Sequence, residues 1–174
     1  SYGTTRVSGL ALALQQKQWM YVNGVILVSP TDIGIKREGP VKAANRLPYF
    51  AAAAWYHKAL PSDLQAKDLD ELLPEIEQFT LNKYIPALAK GGFISSEEKQ
   101  QIAEQVALYS GLTVEAVLAN NLDVNNEFFW KELLRSRKQT IGRLDSRYLG
   151  IDKKVAGSSP DYNAELTSWL HSFT

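Results

Sequence analysis

The first three residues have the spacing of a serine nucleophile turn. Ser1-Tyr2-Gly3 stands directly before a segment with helical periodicity, and in a G-x-S-x-G elbow the serine lies on a sharp strand-to-helix turn. Gly3 matches the second glycine of that motif. A serine held in this way attacks an acyl carbon, and the main-chain N–H of the following residue, Tyr2, binds the developing oxyanion. Because Ser-x-Gly is a common spacing, the motif gains meaning only from the sequence that follows it.

The histidines and acidic residues give no second catalytic or metal-binding motif. His57 and His171 are the two histidines of the chain, and we expect both to be ordinary helix residues, because a triad is recognised by geometry rather than by sequence. Asp123, Asn125 and Glu127 alternate as in a calcium loop, but the glycine and the closing glutamate of that loop are missing. We expect neither a metal nor a cofactor.

Basic and aromatic residues form two further groups, each with two interpretations. The basic group, which either holds a phosphate or a peptide carboxylate or forms ion pairs on a solvated face, consists of Arg135, Arg137, Lys138, Arg143 and Arg147. Ion pairs, for instance of Arg143 or Arg147 with Asp145, are the favoured interpretation. The aromatic group, which either lines a pocket under a lid or packs between helices, consists of Tyr49, Phe50, Trp55 and Tyr56. Packing in the core is favoured.

Two elements follow the serine. Residues 6–20 have helical periodicity, so a helix is predicted directly behind Ser1. Residues 21–29 contain a continuous apolar run at 25–28, which predicts a strand buried on both faces. A single strand cannot satisfy its own backbone groups. The opening unit therefore belongs to a larger sheet, borrows a strand from a second copy, or departs from sheet structure.

The rest of the chain predicts mainly helix. Residues 31–48 contain several glycines and prolines and are predicted to be an irregular connection. Residues 140–148 are predicted to be extended, and residues 152–160 to be a loop. The predicted helices cover residues 47–60, residues 69–88 with breaks at Pro74 and Pro86, segments capped by Ser95, by Thr113 and by Asn125 or Asn126, and residues 162–173.

Composition limits the class of protein. The 174 residues are 45% hydrophobic and 22% charged, and they contain no cysteine, which is typical of one globular domain and excludes disulfide scaffolds. Nineteen basic residues balance nineteen acidic ones, so no net field attracts nucleic acid. No apolar run has the length of a membrane span. A cysteine-free chain fits the cytoplasm and the periplasm equally well.

Longer strings resemble a known family. They are SYGTTR at residue 1, NGVILVS at 23, LPYFAAAAWYHKALP at 47 and GRLDSRYLG at 142. In this order they resemble the bacterial branch of the serine carboxypeptidases, which are α/β-hydrolases similar to cathepsin A. The resemblance covers essentially the whole chain. It implies a mainly α segment of an α/β-hydrolase fold: residues 1–30 from the hydrolase core, 31–134 from the helical lid, and 135–174 returning to the core.

The resemblance also implies roles for two residues. Ser1 is the expected nucleophile, and the Tyr2 N–H is one expected oxyanion donor, with peptides as substrates. The family's catalytic Asp and His follow the lid and are not found in these residues, so the segment alone is expected to be inactive and to be part of a longer protein. The alternative is a non-catalytic helical module for binding or oligomerisation. Self-association through exposed apolar surface or a strand edge is possible in either case.

Overall fold

The computed structural model describes residues 2–28 and 39–166. Over these residues the chain is mainly helical, with 61% helix and 3% strand, which confirms the predicted mainly α class. The chain divides into two compact units, Ser1–Arg37 and Glu38–Thr174. None of the described helices is both long enough and apolar enough to cross a membrane.

Short helices make up most of the structure. In chain order the α-helices are α1 (Tyr2–Gln18), α2 (Pro40–Ala44), α3 (Leu47–Tyr56), α4 (Ser62–Gln65), α5 (Leu69–Phe79), α6 (Ile85–Lys90), α7 (Ser96–Ser110), α8 (Val114–Ala119) and α9 (Asn126–Glu132). A π-helical turn, Thr80–Tyr84, joins α5 to α6, and 3-10 turns cover Gly91–Phe93 and Arg135–Arg137. Strands β1 (Thr140–Ile141) and β2 (Leu149–Gly150) pair in antiparallel fashion.

The first unit confirms the predicted helix and corrects the predicted strand. Helix α1 begins directly behind Ser1, as expected. Residues 21–28, in contrast, form no strand, and their apolar side chains are exposed, Ile26 to 91% and Val28 to 74%. A strand exists only through hydrogen bonds to a neighbour, and sheet pairing in the described part of the chain is confined to β1 and β2. The sequence left three outcomes open for this segment, and in the described residues it departs from sheet structure.

The predicted irregular connection at 31–48 is wrong in its second half. Residues 40–44 form α2, and Pro40 lies in its first turn. Proline is favoured there because the N–H that it lacks has no intrahelical acceptor at that position. Pro48 occupies the same place in α3. Both prolines therefore lie in the first turns of helices instead of in an irregular connection. Residues 31–38 lie outside the described ranges.

Pro86 lies in the first turn of α6, and the backbone stays helical from α5 through the π-helical turn into α6, so the predicted break at Pro86 is wrong. The π-helical turn Thr80–Tyr84 directly precedes it, and α6 begins one residue before it. The proline nitrogen has no hydrogen to donate, and its ring crowds the carbonyl four residues earlier. The residue four positions before Pro86, Asn82, lies in the π-helical turn. The break predicted at Pro74 is also wrong, because Pro74 lies inside α5, in its second turn.

Local capping signals place the later helices correctly. The side chains of Ser95, Thr113 and Asn125 accept hydrogen bonds from the main chain three residues later, at 3.1, 3.2 and 2.9 Å. These bonds satisfy N–H groups that the first helical turn leaves without acceptors. Gly111 ends α7 with a φ of 71°. A Cβ at Gly111 would also lie 2.9 Å from the carbonyl oxygen of Ala59, so glycine is required there for both reasons.

Replacing Ser95 with alanine is expected to lower the free energy of unfolding by about 1 kcal/mol, because the Glu98 N–H loses its acceptor. Ser96→Ala is the matched control, since Ser96 is the first helical residue and its hydroxyl has no partner among the described residues. Urea unfolding followed by circular dichroism measures both. Equal losses in the two variants would contradict the capping role.

The core of the second unit lies where α3 packs on α5 and α7, and where α7 packs on α8. Within the core, the ring of Phe50 is stacked on that of Phe129 from α9, with centroids 4.0 Å apart and planes inclined by 17°. Both side chains are almost fully buried. The predicted extended segment at 140–148 shrinks to the two residues of β1, because residues 142–148 turn back to pair β1 with β2. The predicted loop at 152–160 is confirmed.

Candidate functional site

Of the Ser1-Tyr2-Gly3 motif, the structure describes the main chain from Tyr2 onward. Ser1 lies outside the described residues, and α1 begins at Tyr2. The N–H groups of the first helical turn have no acceptor within their helix, so the Tyr2 N–H points out of the helix end and can donate to an external oxygen. The helix end also carries a partial positive charge. This is the polarity that a developing oxyanion needs.

Two of the strings that carry the family resemblance are neighbours in the structure. His57 lies at the C-terminal end of α3, and its Nε2 is 2.6 Å from the carbonyl oxygen of Ser146 in the 142–148 turn. Arg137 donates to the carbonyl oxygens of His57 and Lys58, at 2.9 and 3.2 Å. His57 is thus a buried residue whose ring contacts the main chain. His171 lies outside the described residues.

A second contact between these strings involves Tyr49. Trp130 Nε1 donates to its hydroxyl oxygen at 2.8 Å. Burial raises the pKa of Tyr49, and the nearby Glu165 carboxylate raises it further, while hydrogen bonds from Trp130 and Ser146 oppose the rise. The phenol therefore stays neutral at physiological pH. It joins α3 to α9 and to the 142–148 turn.

Glu165 holds the 142–148 turn from the other side. Its Oε1 accepts the N–H of Leu144 at 2.6 Å and that of Asp145 at 3.1 Å. Burial acts to raise the pKa of Glu165, but the main-chain donors outweigh it, so the net pKa is lowered. The carboxylate is therefore ionised and acts as an acceptor. Nothing in the sequence spacing points to this contact, because Glu165 is about twenty residues away from the turn.

Gly142 is required by this arrangement. A Cβ built on it would lie 2.1 Å from the carbonyl oxygen of Asp145 and 2.6 Å from Glu165 Oε1. Gly142→Ala is expected to lower the free energy of unfolding by about 1–3 kcal/mol, because the turn backbone must move. Gly92→Ala is the control, since its Cβ would have no neighbour within 4 Å. Thermal unfolding compares them, and an unchanged melting temperature for Gly142→Ala would show that the turn yields freely.

The basic group is largely bound within the fold. Arg147 forms an ion pair with Asp145 at 2.6 Å, which confirms the predicted pairing for that arginine. The Arg147 side chain and main chain lower the pKa of the Asp145 carboxyl to about 2. Arg135 pairs with Glu132 at 2.5 Å. The ion-pair interpretation therefore accounts for Arg147 and Arg135, while Arg143 has no ion pair within the described ranges.

The aromatic group packs mainly in the core, as favoured above. Phe50 is buried against Phe129, and Trp55 donates its Nε1–H to the carbonyl oxygen of Lys67 at 3.0 Å. Tyr56 is the exception, with half of its side chain exposed.

The three residues of the calcium-like pattern do not converge on one point. Asp123 pairs with Arg46 at 2.8 Å, and Asn125 caps α9. Among the described residues there is no group of three acidic or histidine side chains that could hold a metal ion.

One buried ion pair has no local signal in the sequence. Lys131 Nζ lies 2.7 Å from Asp152 Oδ2, and the two side chains are 3% and 9% exposed. Lys131 also donates to the carbonyl oxygen of Lys154 at 3.0 Å, and Asp152 Oδ1 accepts the N–H of Asp161. The pair ties α9 to the 152–161 loop. Spacing could not reveal it, because the partners are twenty-one positions apart in the sequence and are separated by a helix end, a hairpin and a loop.

Comparison with known proteins adds no relative. No protein-family model matches the chain, and neither curated proteins nor solved structures give a significant match.

Proposed function

We propose that this chain is the part of a serine carboxypeptidase that runs from the nucleophile through the helical lid, within the cathepsin A-like α/β-hydrolases. The observation that carries the proposal is the start of α1 at Tyr2, directly behind Ser1. A nucleophile elbow requires a helix at this position. The string SYGTTR therefore coincides with the local structure that the motif needs.

The apolar segment that follows α1 supports the same proposal. Residues 21–28 have the sequence of a strand buried on both faces, yet their side chains are exposed and unpaired in the described structure. Such a segment is expected to pair with other strands of a hydrolase sheet. The exposed apolar side chains mark the surface that those strands would cover.

The proposed reaction is acyl transfer. The Ser1 hydroxyl attacks the carbonyl carbon of the last peptide bond, and the Tyr2 N–H stabilises the negative charge on the carbonyl oxygen. A histidine removes the serine proton and donates it to the departing amino group, and an aspartate orients that histidine. Water then attacks the acyl-enzyme and releases the shortened peptide. By the resemblance, both partner residues follow the lid.

In this proposal the helices between Leu47 and Leu134 form the lid. The place of α3 in this lid is supported by its contact with the 142–148 turn through His57 and Tyr49. A lid fixed in this way shapes the substrate pocket and excludes water from the reacting carbonyl. The boundaries 1–30, 31–134 and 135–174 follow from the same proposal.

The competing function is a non-catalytic helical module for binding or oligomerisation. The exposed apolar run at 21–28 favours it as well, because contiguous apolar surface marks interaction sites. The two functions differ in their chemistry, since a binding module needs no reactive hydroxyl.

A peptidase assay on the full-length gene product tests the proposal. The substrates are an N-blocked dipeptide with a free carboxyl end and the same dipeptide as its amide. We expect release of the C-terminal residue from the free acid, with little cleavage of internal bonds in longer peptides. Absence of any release, or cleavage confined to internal bonds, would exclude a carboxypeptidase.

A further inference from the structure

A cleft of about 130 Å³ lies beside the buried ion pair, and it belongs to no site described above. It opens between the Arg135–Arg137 turn and the start of the 152–161 loop. The lining residues on which the argument depends are Lys138, Gln139, Thr140, Ile151, Lys154 and Val155. An apolar cavity of about 150 Å³ holds a benzene ring, so this cleft has room for a short branched aliphatic group.

The two innermost basic residues of the cleft, Lys131 and Arg135, are already paired with carboxylates, and their contacts fix the walls. Lys131 is neutralised by Asp152 at 2.7 Å. Arg135 is paired with Glu132 and donates to the carbonyl oxygens of Val155 and Gly157. These bonds hold the loop against the helix end. The cleft is therefore formed before any ligand arrives, which lowers the entropic cost of binding.

The outer charges, in contrast, have no ion-pair partner in the described part of the chain. Lys138 and Lys154 line the cleft, both are exposed, and neither ammonium forms an ion pair within the described residues. Asp152 is the acidic residue of the lining, and Lys131 neutralises it. The rim therefore carries a net positive charge that attracts an anion.

The floor and one wall add an apolar surface and an unsatisfied polar group. Ile151 and Val155 line the cleft and are 53% and 67% exposed. Thr140 is only 3% exposed, and its hydroxyl has no hydrogen-bond partner in the described structure. Buried hydroxyls are rarely left unpaired, because the unmade bond costs free energy. An oxygen-bearing ligand seated in the cleft would provide a partner after a small movement of the wall.

We propose that this cleft binds a small branched aliphatic carboxylate, with the hydrocarbon on Ile151 and Val155 and the carboxylate between Lys138 and Lys154. Inorganic phosphate fits the cleft less well, because it has no apolar part to cover the exposed aliphatic side chains. A free branched acid and a peptide that ends in leucine both carry a branched aliphatic chain next to a carboxylate. The inference does not depend on Ser1 or on acyl transfer.

Binding of 4-methylpentanoate to the full chain, measured by titration calorimetry, tests this inference. We expect saturable binding with a dissociation constant on the order of 1 mM. The uncharged 4-methylpentanamide is expected to bind about tenfold more weakly or worse, because it lacks the charge-assisted hydrogen bonds. Inorganic phosphate is expected not to compete. A leucine-terminated peptide titrated beside the free acid identifies which source of the carboxylate binds more tightly.

The double variant Lys138→Gln with Lys154→Gln is expected to lower the affinity about tenfold or more. Lys153→Gln is the matched control, because Lys153 is exposed and is not part of the lining. The affinity of this variant for 4-methylpentanoate should stay unchanged. Circular dichroism confirms that each variant is folded. The inference is overturned if neither acid nor peptide binds saturably, if the amide binds as well as the acid, or if Lys153→Gln weakens binding as much as the double variant.

Discussion

Ser1→Ala in the full-length protein is expected to lower kcat for the dipeptide substrate by on the order of 10⁴-fold or more. The hydroxyl forms the covalent bond to the acyl carbon, and the histidine and the aspartate of the proposed triad act only through it. Substrate binding does not require the hydroxyl, so KM should change little. Steady-state kinetics on wild type and variant measure both parameters.

Ser8→Ala is the control for this experiment. Ser8 lies in the same helix, and its hydroxyl donates to the carbonyl oxygen of Thr4 at 2.9 Å, so the variant removes a serine hydroxyl without touching the nucleophile. We expect nearly unchanged kcat. Full activity of Ser1→Ala would mean that a different residue is the nucleophile, or that the activity has another mechanism.

Lys131→Met is expected to lower the free energy of unfolding by about 3–5 kcal/mol. The substitution removes the charge that faces Asp152 and leaves a carboxylate that is 9% exposed without its counter-ion. The main-chain N–H of Asp161 would remain as its donor. Burial of an uncompensated charge is among the largest costs that one substitution causes. Urea unfolding near neutral pH measures the loss.

Lys67→Met provides the matched comparison, because Lys67 also pairs with a carboxylate. The distance to Glu75 is 2.5 Å, but the two side chains are 39% and 41% exposed. Water solvates both charges when the pair is broken, so a much smaller loss of unfolding free energy is expected than for Lys131→Met. Similar losses in the two variants would show that burial does not govern the strength of the Lys131–Asp152 pair.

The parts of the fold that the sequence predicts correctly are local. Ser95, Thr113 and Asn125 cap helices because each side chain reaches an N–H only three residues away. Gly111 ends α7 because its own φ is positive. Each of these signals lies within a few residues of a helix end, so the local sequence is enough to predict it.

The failures have equally physical causes. The apolar run at 25–28 has the sequence of a strand, but a strand needs a neighbour to pair with. In the described residues the only paired strands are β1 and β2. Pro40 has the type of a breaker but occupies the helical position where proline is favoured. The Lys131–Asp152 pair joins distant parts of the chain, and no local pattern encodes such a contact.

In the candidate site, too, local features could be predicted from the sequence and long-range contacts could not. A helix directly behind Ser1 is a local feature, and the prediction is confirmed. The contact of His57 with the Ser146 carbonyl joins residues 89 apart in the sequence, and only the fold brings them together. The role of Ser1 itself stays a prediction, because it depends on chemistry rather than on the described geometry.

Covalent labelling tests the central claim most directly. The full-length protein is treated with a fluorophosphonate, which phosphonylates only serines activated by a base, and the modified peptide is identified by mass spectrometry. The proposal predicts one adduct, on Ser1. The adduct should be absent from Ser1→Ala, and the peptide substrate should slow its formation. An adduct on another serine, or no adduct on a protein that hydrolyses the dipeptide, would contradict it.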